Sequence, residues 1–138
     1  MLMRLVLDEF IEGAIRPGFT PFYIYKIIVN TVQVGTLVFR LGSDEEHRYD
    51  GHIAYTIDEI HRGHHYAYEA CLLLRKEIRQ AGYDHVLITC DPDNIASKKT
   101  IARLGAEYVE TLPVPSTHRK FFTPQEHDKE IYIWRMHS

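Results

Sequence analysis

With 138 residues, 45% hydrophobic and 25% charged, the chain has the length and composition of one globular domain with its own core, which excludes a disordered or low-complexity protein. A net charge of −3 argues against a nucleic-acid-binding surface as its main business, and no apolar run approaches the roughly 18 residues of a membrane helix. Two isolated cysteines in apolar contexts, Cys71 and Cys90, suggest a reducing compartment, so a cytoplasmic protein with no membrane or nucleic-acid partner is expected.

Residues 2–7 (LMRLVL) read as a short strand, followed by an ambiguous stretch broken by Pro17, Gly18 and Pro21. The runs 22–29 (FYIYKIIV) and 32–41 (VQVGTLVFRL) are rich in aromatic and β-branched residues. Joined by Asn30-Thr31, they predict an antiparallel hairpin. A polar connection, GSDEEHRYD, leads to a third strand over 51–57. From residue 65 the period changes: Ala67, Ala70, Cys71, Leu74, Ile78 and Ala81 recur at helical spacing, with Gly82 as a C-terminal stop. The run 86–90 (VLITC) is short and uniformly apolar, which suits a buried central strand. Asp93 or Asn94 can cap a helix running to about Arg103, and Gly105 ends it. Weaker and stronger strands are expected at 106–112 and 130–136, separated by a long loop over 113–129. The order predicts one α/β domain over 1–138, built on a single mixed sheet of about six to seven strands flanked by helices.

The segment His61-Arg62-Gly63-His64-His65-Tyr66-Ala67 joins a strand to a helix. Gly63 permits a tight turn, the amides that open the helix have no intrahelical partners, and Arg62 adds positive charge. That combination suits a pyrophosphate, although a plain strand-to-helix turn with a surface arginine has the same appearance.

Together with the second helix and its flanking turns, this segment resembles the signature of the GNAT superfamily of acyl-CoA-dependent N-acyltransferases. Arg62 and Ala67 match the ends of its Arg/Gln-x-x-Gly-x-Gly/Ala turn, Asn94-Ile95-Ala96-Ser97 matches its Asn-x-x-Ser, and Leu104-Gly105 matches its third element. The resemblance covers about 30–112. The Asn-x-x-Ser form is similar to the branch acting on ribosomal-protein N-termini. His65 departs from the pattern, standing where the family has a glycine of the turn. Its side chain would either crowd the pyrophosphate or donate an imidazole N–H to it.

The resemblance implies the GNAT fold and acetyl-CoA as cosubstrate. Backbone groups from Tyr55 to Ile57 would meet the pantetheine arm. The amides of Gly63, His64, His65, Tyr66 and Ala67, beside Arg62, would hold the pyrophosphate. Asn94 would contact pantetheine, Ser97 would lie near the thioester sulfur, and Lys99 would reach nucleotide phosphates unless it is only a solvated lysine. The implied reaction is direct attack of an amine on the thioester, which needs a proton acceptor, oxyanion donors and an acid for the thiolate. Relatives use a tyrosine as that acid where this chain has Ile101, so Ser97 is the candidate. His52 is named as base because imidazole exchanges protons near neutrality, with Tyr55 and Asp91 as secondary candidates. The alternative for His52 is a histidine bonded within the fold. Asp44, Glu45 and Glu46 either attract a cationic amine or form a solvated loop. His61, His64 and His65 lack the spacing of a metal site, so no metal is expected. Relatives carry two helices before the second strand where this chain has room for one short helix. The acceptor site is then open, or completed by a partner subunit of a homodimer or by the 113–129 loop. An acyl-CoA-binding module without efficient catalysis is the alternative function.

Overall fold

Strand pairing begins with the aromatic and β-branched runs of the N-terminal half. In a computed structural model that describes residues 2–13 and 20–136, β1 (Met3–Ile11), β2 (Phe22–Val29), β3 (Val32–Arg40) and β4 (Ile53–Ile57) form an antiparallel meander. Asn30 takes a left-handed φ of 59° in the tight β2–β3 turn, a conformation asparagine tolerates better than most residues. A 15-residue helix α1 (Tyr66–Gln80) then crosses to β5 (His85–Cys90), which lies parallel to β4. After α2 (Ile95–Arg103), β6 (Glu107–Pro113) and β7 (Asp128–Arg135) complete a seven-stranded mixed sheet of order β1-β2-β3-β4-β5-β7-β6.

The period-two pattern decides which face is core. Tyr25, Leu37 and Tyr55 are cross-strand partners, as are Phe39 and Ile53, so they share one face. That face packs against the α1 stripe Ala70, Cys71, Leu74 and Ile78, and Ile101 of α2 joins the same core. At the rates usual for apolar burial, each fully buried leucine or isoleucine here contributes about 2 kcal/mol. Val38 and Ala54 point to the opposite face. The alternation slips beside Gly35, where a register shift occurs opposite Ile27 and Ile28. A Cβ on Gly35 would sit 2.1 Å from the Thr56 carbonyl oxygen, so only glycine lets β3 approach β4 there.

The N-terminus differs from the sequence expectation. The first strand runs on to Ile11, accommodating the polar Asp8-Glu9 through a bulge between Leu7 and Glu9. Any short helix expected between β1 and β2 falls on residues 14–19, outside the described residues. The 113–129 loop is partly ordered by a 3-10 turn at Ser116–Phe121.

Candidate active site

The sheet opens between β4 and β5. These strands share one register pair, Ile53↔Ile88, and the ladder stops beyond it. His52 fastens the closed end. Its backbone N–H donates to Leu87 O (2.8 Å), its Nδ1 accepts from the Leu87 N–H (2.9 Å), and its Nε2 donates to Gly42 O (3.0 Å). The ring is 0% exposed, and burial lowers its pKa in spite of the Gly42 carbonyl. It is therefore neutral, with the proton on Nε2. This corrects the expectation of His52 as a base: both nitrogens are committed to backbone, and the ring does not line the cleft.

Past His52 a cleft of about 1560 Å³ occupies the wedge between the strands. Its walls include Tyr55 and Ile57 from the α1 face, and Val38 and Ala54 from the opposite face. The opening thus runs through the sheet, with access from both sides.

On the α1 side the chain leaves β4 through a 3-10 turn at Glu59–His61. Arg62 folds back so that its Nε donates to Ile57 O (3.0 Å). Gly63 follows at φ +91° with open space around it, then His65 at φ +60° as the N-cap of α1. The glycine position of the pattern that His65 occupies is left-handed, and His65 adopts that conformation in place of glycine. For an L-residue with a Cβ this costs roughly 1–2 kcal/mol. No side chain caps the opening amides of α1, so they remain available to an anion.

On the opposite wall Asn94 is the N-cap of α2, its Oδ1 accepting from the Ser97 N–H (3.1 Å). This cap aims Ser97 back at β4, where its Oγ lies 2.8 Å from the Tyr55 hydroxyl. Burial raises the Tyr55 phenol far above its ordinary value, only partly offset by the bond to Ser97. Tyr55 therefore stays protonated and can donate to Ser97, freeing the serine O–H for another acceptor. Cys90 also lines this wall, with its thiol pushed up to about 11, first by burial and then by Glu130.

One cleft thus brings together Tyr55, Ile57, Arg62, Gly63, His65, Tyr66, Ala67, Asn94, Ser97 and Lys99. His64 is outside its lining, its ring stacked on Tyr66 with centroids 5.1 Å apart. Glu45 and Glu46 border the cleft, whereas Asp44 turns to His85 (2.7 Å). Asp91 borders it as well, but in an ion pair with Lys129 (2.8 Å). Among the described residues no group of His, Cys, Asp and Glu could hold a metal ion. The wall also contains residues that sequence reasoning missed: Arg40, His47 and Tyr49 before β4, and His118, Phe122, Glu126 and Lys129 from the 113–129 segment. The length of that loop was the one sequence signal pointing to them.

The chain matches solved structures of RimL, the ribosomal L7/L12 α-N-protein acetyltransferase (TM-score 0.65, 18% identity, 85% of this chain and 71% of that one). It also matches the microcin C7 self-immunity acetyltransferase MccE in complex with acetyl-CoA and AMP (0.64, 21%, 83% and 61%). A third is Mycobacterium smegmatis RimJ in complex with CoA-disulfide (0.61, 16%, 81% and 52%). At these identities the likeness establishes the shared fold, and the chain spans less than two thirds of MccE and RimJ. No curated protein matches the sequence. The model of the acetyltransferase (GNAT) domain matches residues 6–107, well over half of the chain, and includes both the turn into α1 and the Asn94–Ser97 cap. On that match the chain belongs to the GNAT acetyltransferase family.

Proposed function

We propose that this domain transfers an acetyl group from acetyl-CoA to a primary amine by direct attack on the thioester. One observation carries the reading: the uncapped amides of α1 and the Tyr55–Ser97 hydroxyl pair line the same wedge in the sheet. The amides from Gly63 to Ala67 hold the pyrophosphate, with the outer guanidinium nitrogens of Arg62 and the Lys99 ammonium adding charge. The open edge of β4 from Tyr55 to Ile57 pairs with the pantetheine arm, and Asn94 borders it. His65 lines the cleft beside that turn, and its imidazole N–H is a further donor to the phosphates in this reading.

When the amine nitrogen bonds to the thioester carbon, the C–S bond breaks and the sulfur leaves with its electron pair. Ser97 Oγ–H protonates that sulfur while the Tyr55 hydroxyl, held in its protonated form, donates a hydrogen bond to Ser97 Oγ, and solvent in the open cleft returns a proton to Ser97 so that no tyrosinate forms. The amine's own proton goes to the open side of the cleft. His118 borders that side, its Nδ1 3.0 Å from Thr117 Oγ1 and its Nε2 without a hydrogen-bond partner among the described residues, and it is the proton acceptor in this reading. His47 cannot serve, because Asp50 and the Leu41 carbonyl occupy its two nitrogens. Cys90 is a poor nucleophile at its raised pKa, which supports direct attack over an acyl-cysteine route. Two buried free thiols support a cytoplasmic location.

The structural neighbours include an enzyme of a protein N-terminus and an enzyme in complex with AMP, so peptide and small-molecule amines both belong in the test. The experiment is an acceptor screen with detection of released CoA thiol. Amine-dependent thiol release supports the proposal. Acetyl-CoA binding without release from any amine supports an acyl-CoA-binding module instead, the reading favoured by Ile101 in place of the usual tyrosine.

A further inference from the structure

Lys129, the second residue of β7, is 7% exposed, and lysine is rarely this buried unless its charge is paired. Its Nζ donates to Asp91 Oδ1 (2.8 Å) and to Glu126 Oε2, and lies 5.2 Å from the centre of the Phe122 ring. The two carboxylates belong to different walls of the cleft. Asp91 is the residue directly after β5, and its carbonyl accepts from the Asn94 N–H (3.0 Å), so it begins the turn that ends on the cap of Ser97. Glu126 closes a turn in which its Oε1 accepts from the Thr123 N–H and Oγ1, at 3.0 and 3.1 Å. Arg119 donates to the carbonyls of Glu126 and Thr123, so this turn and the 116–121 segment that bears His118 are one mechanical unit. Burial alone would lower the pKa of Lys129, but the two carboxylates outweigh it and the ammonium keeps its charge.

We propose that Lys129 is a positioning residue that locks the 116–126 segment to the Asp91–Asn94 turn and so sets the acceptor mouth against Ser97. This inference rests on the acetyltransferase reading and assigns to the same site the residue that controls acceptor geometry. The energetics are asymmetric. A buried ammonium shared by two carboxylates adds little net stability over an apolar side chain of similar size. Removing it leaves Asp91 and Glu126 as unpaired like charges across the mouth, which drives the two walls apart. The pyrophosphate-binding amides at the start of α1 touch none of the three residues, and Asn94 keeps its own bond to the Ser97 N–H, so acetyl-CoA affinity depends on them far less than acceptor affinity does.

The test compares the full chain with Lys129→Met, Lys129→Arg and Glu126→Gln. Two readouts are used: trypsin cleavage after Arg119 or Lys120, and steady-state kinetics with acetyl-CoA and the best amine of the screen. In Lys129→Met, cleavage should accelerate and the acceptor KM should rise by about tenfold or more, with acetyl-CoA affinity held within about twofold. Lys129→Arg should restore most of both. Glu126→Gln, which removes only the partner on the surface turn, should move cleavage in the same direction and covers the case in which Lys129→Met does not fold. Unchanged cleavage in Glu126→Gln and in folded Lys129→Met would overturn the proposal. So would a loss of acetyl-CoA affinity parallel to the loss of acceptor affinity. If wild-type protein binds no acetyl-CoA, the acetyltransferase reading fails, and the cleavage comparison still decides whether Lys129 locks the segment.

Discussion

Ser97 receives its orientation from two neighbours, the Asn94 cap at its amide and the Tyr55 hydroxyl at its Oγ. If it protonates the departing thiolate, Ser97→Ala should lower kcat by about a hundredfold while acetyl-CoA binds as before. Calorimetry beside turnover separates the two, and an unchanged kcat would remove Ser97 from the chemistry. The Asn-x-x-Ser spacing was visible in the sequence, but the bond to Tyr55 was not. It joins residues 42 positions apart, and nothing in either local pattern specifies it. His65 shows the opposite relation. The sequence flagged it as the residue that breaks the turn pattern, and the structure shows that it keeps the glycine's left-handed backbone. Glycine there relieves strain at the cost of greater freedom in the unfolded chain. His65→Gly should therefore raise the unfolding free energy by up to about 1 kcal/mol in urea titrations, and a fall would show that the imidazole itself stabilises the turn.

The stripe of α1 was legible because helical periodicity and burial coincide: Ala67, Ala70, Cys71, Leu74 and Ile78 are all buried. Leu74, fully enclosed, should cost about 3 kcal/mol when cut back to alanine, read as a shift in the denaturation midpoint. The connection between β3 and β4 was not legible, because histidines hold it through contacts made only in the folded chain. When protonated, His47 donates from both nitrogens, to Asp50 (3.1 Å) and Leu41 O (2.7 Å), and it is 3% exposed. Burial works against its charged form, but these acceptors prevail and its pKa is raised. His85 lies between Asp44 (2.7 Å) and Asp84 (2.6 Å), and the Asp44 bond is the largest cause of its raised pKa. A folded-state pKa above the unfolded value gives stability that is fully present below about pH 6.5 and disappears as pH rises through the folded value. His52 is lowered, so its contribution has the opposite sign: present above that pH and lost on acidification. In thermal scans, His85→Asn should therefore lie furthest below wild type under mildly acid conditions and converge with it toward alkaline pH. A gap that widens with rising pH would contradict this assignment.

For the whole molecule, the alternation of strands and helices, the turn into α1 and the Asn94 cap were legible in the sequence, since these depend on periodicity, caps and turns. Where the sheet opens depends instead on long-range pairing: His52 closes one end, and the single pair Ile53↔Ile88 marks where β4 and β5 part. The far wall of the cleft rests on the same kind of contact, with Lys129 drawing together residues from two loops. A ligand that binds only the folded cleft must raise its melting temperature as ligand concentration rises above Kd, so acetyl-CoA should stabilise the domain. The most direct measurement is a calorimetric titration of the domain with acetyl-CoA. The structure predicts saturable binding with one ligand per chain, displaced by CoA and retained in Ser97→Ala. Absence of binding at high micromolar acetyl-CoA would contradict it.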